Sequence, residues 1–394
     1  MAKTHPRIWS LLVGLCRSTL GRRYGYTCDS LKDVEGPYLL LCNHNMDIDP
    51  ILLGIAAGRP VRFVASEHIL RRPAAARFIT ALFDPIYHQK GKQGRRTVVE
   101  MLRTLKEGVS VGLFPEGNRS FSGVTGPFFV SGKLAKSAGV RVVTYRIEGG
   151  YLTQPRWSTG MRRGKLFGRL IHVYEPAELK AMSQEAVDAA LKADLFEDAY
   201  ATQARLSIPY EGQDLALGLE STLFRCPACG KIGTLRSSGD TLSCSCGLRL
   251  RYTPLGYLED ESTGERHTVT ELDAAQREAL HRMIEGAKQT EEFFSDAVTL
   301  QRIGEGHQVA EERRAVLSAA KTYLVLRPTD AGDAPLSEPP RYLSFERMEG
   351  LAVYSRSTIV VMMEDGTHYE IRGDLSFSAL KYLYLYQFVT NKES

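Results

Sequence analysis

The sequence predicts an α/β unit whose sheet is flanked by helices, then a small four-cysteine ribbon, then a mostly β region with a capping helix. Three observations predict it. Between Gly36 and about Ala177, short β-rich runs alternate with helical patterns, which marks a layered α/β sheet. Four of the seven cysteines crowd between Cys226 and Cys246. After a helix at Glu271 to Lys288, strand-like runs follow one another until a final apolar helix.

The first element is an amphipathic N-terminal helix within residues 1–30. In "THPRIWSLLVGLCRSTLGRRYGY", Trp9, Leu12, Val13, Cys16 and Leu20 share a helical face, flanked by Arg7, Arg17, Arg22 and Arg23. Such a stripe fits equally an interfacial helix drawn to anionic lipid and a helix packed on the core. The α/β unit occupies 31–207. Its strands are read in "PYLLLC", "VRFVA", "VSVGLF", "VRVVTYRI" and "RLIHVYEP". Between them "GRRTVVEMLRTLKEG" sets Val98, Val99, Met101, Leu102 and Leu105 on one helical stripe, and Gly108 stops it. A helical segment from about Pro176 to Arg205, rich in Ala, Glu and Lys, leads away from the sheet.

The cysteine cluster lies in a unit placed at 220–258, followed by a helix at Glu271 to Lys288. The last region, 292–394, has strand-like runs "AVTLQRI", "AKTYLVLR", "RYLSFERMEGLAVY", "STIVVMME" and "THYEIR", then the helix "SALKYLYLYQFVT". The Pro-rich "RPTDAGDAPLSEPPR" is one long loop.

Composition narrows the function. With 43% hydrophobic and 24% charged residues, the chain is an ordinary globular protein. A formal charge of +4 is too small to imply a nucleic-acid partner, and none is expected. No apolar run approaches the roughly 20 residues needed to span a bilayer. "IWSLLVGLC" is too short to span, and no secretory signal is evident, so the expected compartment is the cytoplasm. Cys16, Cys28 and Cys42 stand singly and read as buried free thiols.

Chemistry gathers at "LCNHNMDIDP", which leaves the apolar run "PYLLLC". His44 and Asp49 form H-x-x-x-x-D. If a helix starts near Asp47 to Pro50, the carboxylate returns within about a turn of the imidazole, and Pro50 suits a first helical turn. A carboxylate on one ring nitrogen fixes the tautomer that leaves the other nitrogen as a base. Taken alone, the pattern fits as well an N-cap aspartate beside a loop histidine. A second motif, "VSVGLFPEGNRS", runs a strand into a Pro-Glu-Gly-Asn-Arg turn. There Gly117 permits backbone angles closed to other residues, and Arg119 offers a planar fork for phosphate or carboxylate. The two motifs together, each after a strand, are far rarer by chance than either alone.

On "NHNMDIDPILL", "LFPEGNRSFSGVTGPF" and "GVRVVTYRIEGG", the segment from about Leu31 to Leu179 resembles the glycerolipid acyltransferases typified by 1-acyl-sn-glycerol-3-phosphate acyltransferase. The resemblance implies an acyltransferase of phospholipid biosynthesis, working at a membrane surface as a peripherally associated cytoplasmic protein. It implies that His44 takes the proton from the free hydroxyl of a lysophospholipid acceptor, which attacks the thioester of an acyl-CoA or acyl-carrier protein. Asp49 would orient His44. Glu116, Gly117 and Arg119 would hold the acceptor's glycerol-phosphate end. Where the family usually carries an arginine in a further block, "IYHQKGKQGRR" offers Lys90, with Lys92, Arg95 and Arg96 nearby. Met46 stands where the family often has serine.

In "CPACGKIGTLRSSGDTLSCSCG", Cys226 and Cys229 form C-x-x-C, and Cys244 and Cys246 form C-x-C, each pair followed by glycine. Four thiolates on two turns joined by a short hairpin suit a closed, structural tetrahedral Zn²⁺ site. A redox pair is the competing reading, and the absence of a thioredoxin-like βαβ pattern favours zinc. The region after it resembles a pleckstrin-homology (PH) or GRAM-like domain in its run of strands, its "EDGT" turn and its final helix. The alternative to an enzyme is a catalytically decayed acyltransferase fold serving as a scaffold. It would bind lipid or a protein partner through the ribbon and the PH-like part. Retention of His44, Asp49, Glu116 and Arg119 favours the enzyme.

Overall fold

A computed structural model describes residues 6–67, 80, 83–88, 94–128, 132–304, 308–330, 334 and 336–391, with side chains from residue 13 onward. The first sheet has seven strands: β1 (Thr27–Cys28), β2 (Tyr38–Cys42), β3 (Arg62–Ser66), β4 (Ile86–His88), β5 (Val111–Leu113), β6 (Arg141–Glu148) and β7 (Phe167–Tyr174). Their order is β1-β7-β6-β2-β5-β3-β4. β2 is central and pairs in parallel with both β5 and β6, while β7 runs antiparallel to β6.

β2 is buried along its whole length, as its unbroken apolar run requires of a central parallel strand. Its alternation builds two cores. Tyr38, Leu40 and Cys42 face one layer with helices α1 (Pro6–Tyr24) and α2 (Asp49–Ala57). Leu39 and Leu41 face the other, against Met101 and Leu105 of helix Arg95–Lys106 and Val187, Leu191 and Leu195 of helix Gln184–Leu195. On α1, Val13, Cys16 and Leu20 pack against the first core, so this part of the expected stripe faces protein. The side chains of Arg7, Trp9 and Leu12 lie outside the described residues. Among the described residues, no helix is long and apolar enough to cross a membrane.

The segment from Pro176 onward does not run as one helix. It breaks into Pro176–Ala181, Gln184–Leu195 and Ala199–Leu206. Ser183 and Asp198 cause the breaks, because each caps a new helix by accepting backbone N–H bonds.

Around the four cysteines, β8 (Leu235–Ser238), β9 (Thr241–Cys244), β10 (Arg249–Tyr252), β11 (Leu258–Asp260) and β12 (Arg266–His267) form an antiparallel meander. Leu235, Leu242 and Leu250 share one core with Tyr151, Trp157 and Tyr200, so the meander is packed onto the first unit. After helix Val269–Gly286 comes a second seven-stranded sheet: β13 (Ser295–Ile303), β14 (Val309–Ala319), β15 (Tyr323–Pro328), β16 (Arg341–Ser344), β17 (Met348–Tyr354), β18 (Thr358–Met363) and β19 (His368–Arg372). Its order is β16-β15-β14-β13-β19-β18-β17, antiparallel throughout. Helix Ala379–Thr390 closes its core with Tyr382, Leu383 and Tyr386.

Candidate active site

Because β2, β5 and β6 are parallel neighbours, their C-terminal ends reach the same edge of the sheet. That edge is where open α/β sheets present their chemistry. β2 leads into Asn43–Asp49, β5 into Phe114–Gly126, and β6 into Gly149–Gly150. The sheet therefore brings together the motifs that lie far apart in sequence.

Asp49 is fully buried at the first position of α2, with Pro50 beside it in the first turn. Its side chain does not cap its own helix. It folds back over the preceding loop instead. Oδ2 meets His44 Nδ1 at 2.8 Å and accepts the backbone N–H of Asn45 at 2.8 Å and of Met46 at 2.9 Å. An acceptor facing Nδ1 makes that nitrogen the N–H, which leaves the Nε2 lone pair available. Among the described residues, Nε2 takes no hydrogen bond. The ring stacks on Phe114 with centroids 4.4 Å apart, and the side chain is 21% exposed.

Glu116 is buried, and both its oxygens are occupied. Oε1 accepts the His44 backbone N–H at 2.7 Å, and Oε2 accepts that of Gly126 at 2.8 Å. Burial pushes its pKa up to about 8 against the pull of these two bonds. Glu116 thus braces the His44 turn from beneath. Gly117 has φ 64°, in the left-handed region, and its N–H closes the turn onto Phe114 O at 3.1 Å. The backbone N–H of Ser120 adds a bond to His44 O at 3.0 Å.

Arg119 reaches across to the first motif, with Nε 3.4 Å from Asp47 Oδ1. Its Nη1 is buried with no hydrogen-bond partner among the described residues. Asp47 is held from its other side by Gln154, which accepts its N–H at 3.0 Å and donates to Oδ2 at 3.1 Å. Beneath Arg119, Arg156 donates to its carbonyl at 3.0 Å. Lys90 and Lys92 lie outside the described residues.

Two contributors carry no signal in the motifs, Glu197 and Arg156, and Glu197 acts through the amides of Asn43 and Asn45. Glu197 Oε2 accepts from Asn43 Nδ2 at 3.1 Å and Asn45 Nδ2 at 2.5 Å. The two asparagines flanking the histidine were visible in "NHN", but nothing local marked their partner.

Away from this edge, the Sγ atoms of Cys226, Cys229, Cys244 and Cys246 all lie within 4.8 Å of one another. The separations are 3.7 Å for Cys226 to Cys246 and 3.8 Å for Cys229 to Cys244. Four thiolates about 2.3 Å from a tetrahedral zinc stand about 3.8 Å apart, so the donor set fits one such ion.

Residues 25–148 match the sequence profile of the acyltransferase family. No curated protein sequence matches the chain. Among solved structures, the 1-acyl-sn-glycerophosphate (LPA) acyltransferase PlsC from Thermotoga maritima is similar at a TM-score of 0.42 and 19% identity. That match covers 50% of this chain and 79% of the other. A structure of Vav1 bound by an allosteric inhibitor is similar at a TM-score of 0.19 and 9% identity, over 31% of this chain and 25% of that one. The C-terminal domain of an unknown protein from Leishmania infantum is similar at a TM-score of 0.15 and 9% identity, over 26% of this chain and 84% of that one. His44, Asp49, Glu116 and Arg119 all fall inside the profile match, and through residues 25–148 the chain carries a domain of the acyltransferase family.

Proposed function

We propose that the protein moves a fatty acyl group from an acyl thioester, acyl-CoA or acyl-carrier protein, to the free hydroxyl of a lysophospholipid. The acceptor we favour is 1-acyl-glycerol-3-phosphate, and the setting phospholipid biosynthesis. The observation that carries the reading is the bond of 2.8 Å between His44 Nδ1 and a fully buried Asp49 at the mouth of the central strand.

His44 Nε2 takes the proton from the acceptor hydroxyl as its oxygen attacks the thioester carbonyl carbon. The tetrahedral intermediate collapses, the C–S bond breaks, and the leaving thiolate takes the proton back from the imidazolium. Asp49 holds the ring and stabilises its positive charge. A thioester is already activated, so positioning and one base suffice without a covalent acyl-enzyme. Arg119, whose buried Nη1 has a donor to spare, binds the acceptor phosphate, with Lys90 as a second cation. Glu116 and Gly117 serve that contact by shaping the loop that carries Arg119.

The four cysteines hold one structural Zn²⁺, which locks the meander's two turns together. The order of the second sheet and its closing helix support a PH- or GRAM-like reading for 292–394. The protein works peripherally at the cytoplasmic face of a membrane. Exposed Leu15, Arg17, Arg22 and Arg23 on α1 support this.

The test is to incubate purified protein with labelled acyl-CoA or acyl-carrier protein and a panel of lysophospholipids, identifying products by mass spectrometry. Acylated product with one acceptor is the expected result. Thioester hydrolysis alone, or no turnover with any pair, would contradict the reading and favour the scaffold.

A further inference from the structure

The asparagines on either side of His44 are held by a residue beyond the end of the family match. Glu197 lies 154 residues after Asn43, in the break between helices Gln184–Leu195 and Ala199–Leu206, and is 4% exposed. Its Oε2 accepts from the Asn43 and Asn45 amides at 3.1 and 2.5 Å, and its Oε1 accepts the Gly149 N–H at 3.2 Å. Its backbone pairs with the second motif: Glu197 N–H donates to Thr125 Oγ1 at 2.8 Å, and Glu197 O accepts the Thr125 N–H at 3.0 Å. One residue therefore ties together the loops that follow β2, β5 and β6.

We propose that Glu197 is a positioning residue for His44, setting the imidazole against the substrate by pinning the amide on each side of it. The proposal rests on the acyl-transfer reading above. The geometry of Asn43 shows how the pinning works. Its Oδ1 accepts the Ile147 N–H at 2.8 Å, and its Nδ2 donates to Ile147 O at 2.9 Å as well as to Glu197. Both amides need an acceptor at Glu197, and so does Gly149. In its ionised form the carboxylate offers acceptors on both sides, whereas a glutamine would turn an NH₂ group toward one set of donors. Burial, the dominant influence on this group, pushes its pKa up to about 8, opposed by the Asn45 and Gly149 bonds.

The test compares Glu197→Gln and Glu197→Asp with the unaltered full-length chain, measuring kcat, KM for both substrates, and the thermal midpoint. Misplacing a base by about 1 Å lowers turnover roughly 10²-fold, so Glu197→Gln is expected to lose kcat on that scale at unchanged KM. Glu197→Asp, still an acceptor on both sides, recovers part of the loss. In the His44→Ala background, Glu197→Gln causes no further loss, because a residue acting through His44 has nothing left to position. Should Glu197→Gln fail to fold, Asn45→Ala removes the amide and leaves the carboxyl group in place for the same cycle. Unchanged kcat in a folded Glu197→Gln, or an equal further loss without His44, overturns the proposal and leaves the base assignment standing. Full turnover by His44→Ala overturns both.

Discussion

At the scale of single residues, the site rests on two carboxyl groups that do different things in similar burial. Asp49 spends one oxygen on three donors and so fixes the imidazole. Glu116 spends both on backbone and fixes the loop. The difference has a consequence for stability. Glu116 has its pKa raised from the usual 4.5 to about 8, chiefly by burial. The folded chain therefore keeps a proton that the unfolded chain loses. Its contribution to stability is full below about pH 4.5, declines as pH rises to about 8, and is flat above that. The slope from one such group reaches about 1.4 kcal/mol per pH unit. Denaturant midpoints measured across this window should fall with rising pH, and Glu116→Gln should be less stable overall yet less steep. A wild-type profile that rises through the window would contradict the assignment. His44 and Asp49 were legible because their spacing is local, whereas the bonds from Glu116 and Glu197 span 72 and 154 residues, and no short pattern carries such a contact.

At the scale of elements, apolar runs such as "YLLLC" and "TIVVMM" became strands as read. The sequence does not predict β14, "VAEERRAVLSA", as a strand, because its first half is charged and carries no apolar alternation. That half is mostly exposed, and Glu311 pairs with Arg302 on the neighbouring β13 and with Arg341 across the sheet surface. The run "RYLSFERMEGLAVY" divides into β16 and β17 where Met348 N–H closes a turn onto Phe345 O. The cysteine meander is an element whose stability should depend on metal. Elemental analysis should find one zinc per chain. Because the meander shares a core with Trp157 and Tyr200, chelation should lower the thermal midpoint of the whole first unit and not merely loosen the ribbon. Stoichiometric absence of zinc in freshly purified protein would contradict the metal assignment.

At the scale of the whole molecule, the second sheet is fastened directly beneath the loop that carries Arg119. Arg156 is 6% exposed and donates to Val353 O at 3.1 Å, Ser355 O at 3.0 Å and Arg119 O at 3.0 Å. Arg356 returns the contact by donating to Trp157 O at 2.8 Å. Burial, and then neighbouring Arg119, lower the pKa of Arg156 to about 9, which leaves it charged at neutral pH. Arg156→Ala should cost about 3 kcal/mol, since it leaves buried carbonyls without donors. It should also raise KM for a phosphate-bearing acceptor more than for a neutral one, because the Arg119 loop loses its support. Equal KM values for both acceptors would show that the second sheet does not steady Arg119. None of this linkage was legible in composition or motif, because it joins carbonyl groups that every residue possesses.

The central claim is that His44, oriented by Asp49, is the base for acyl transfer, and the most direct measurement is the rate of acylated lysophospholipid formation by His44→Ala and Asp49→Asn beside the wild type. Circular dichroism confirms that each variant is folded. The account predicts a loss of roughly 10²–10⁴-fold for His44→Ala and a smaller one for Asp49→Asn. Wild-type rates in both folded variants would contradict it.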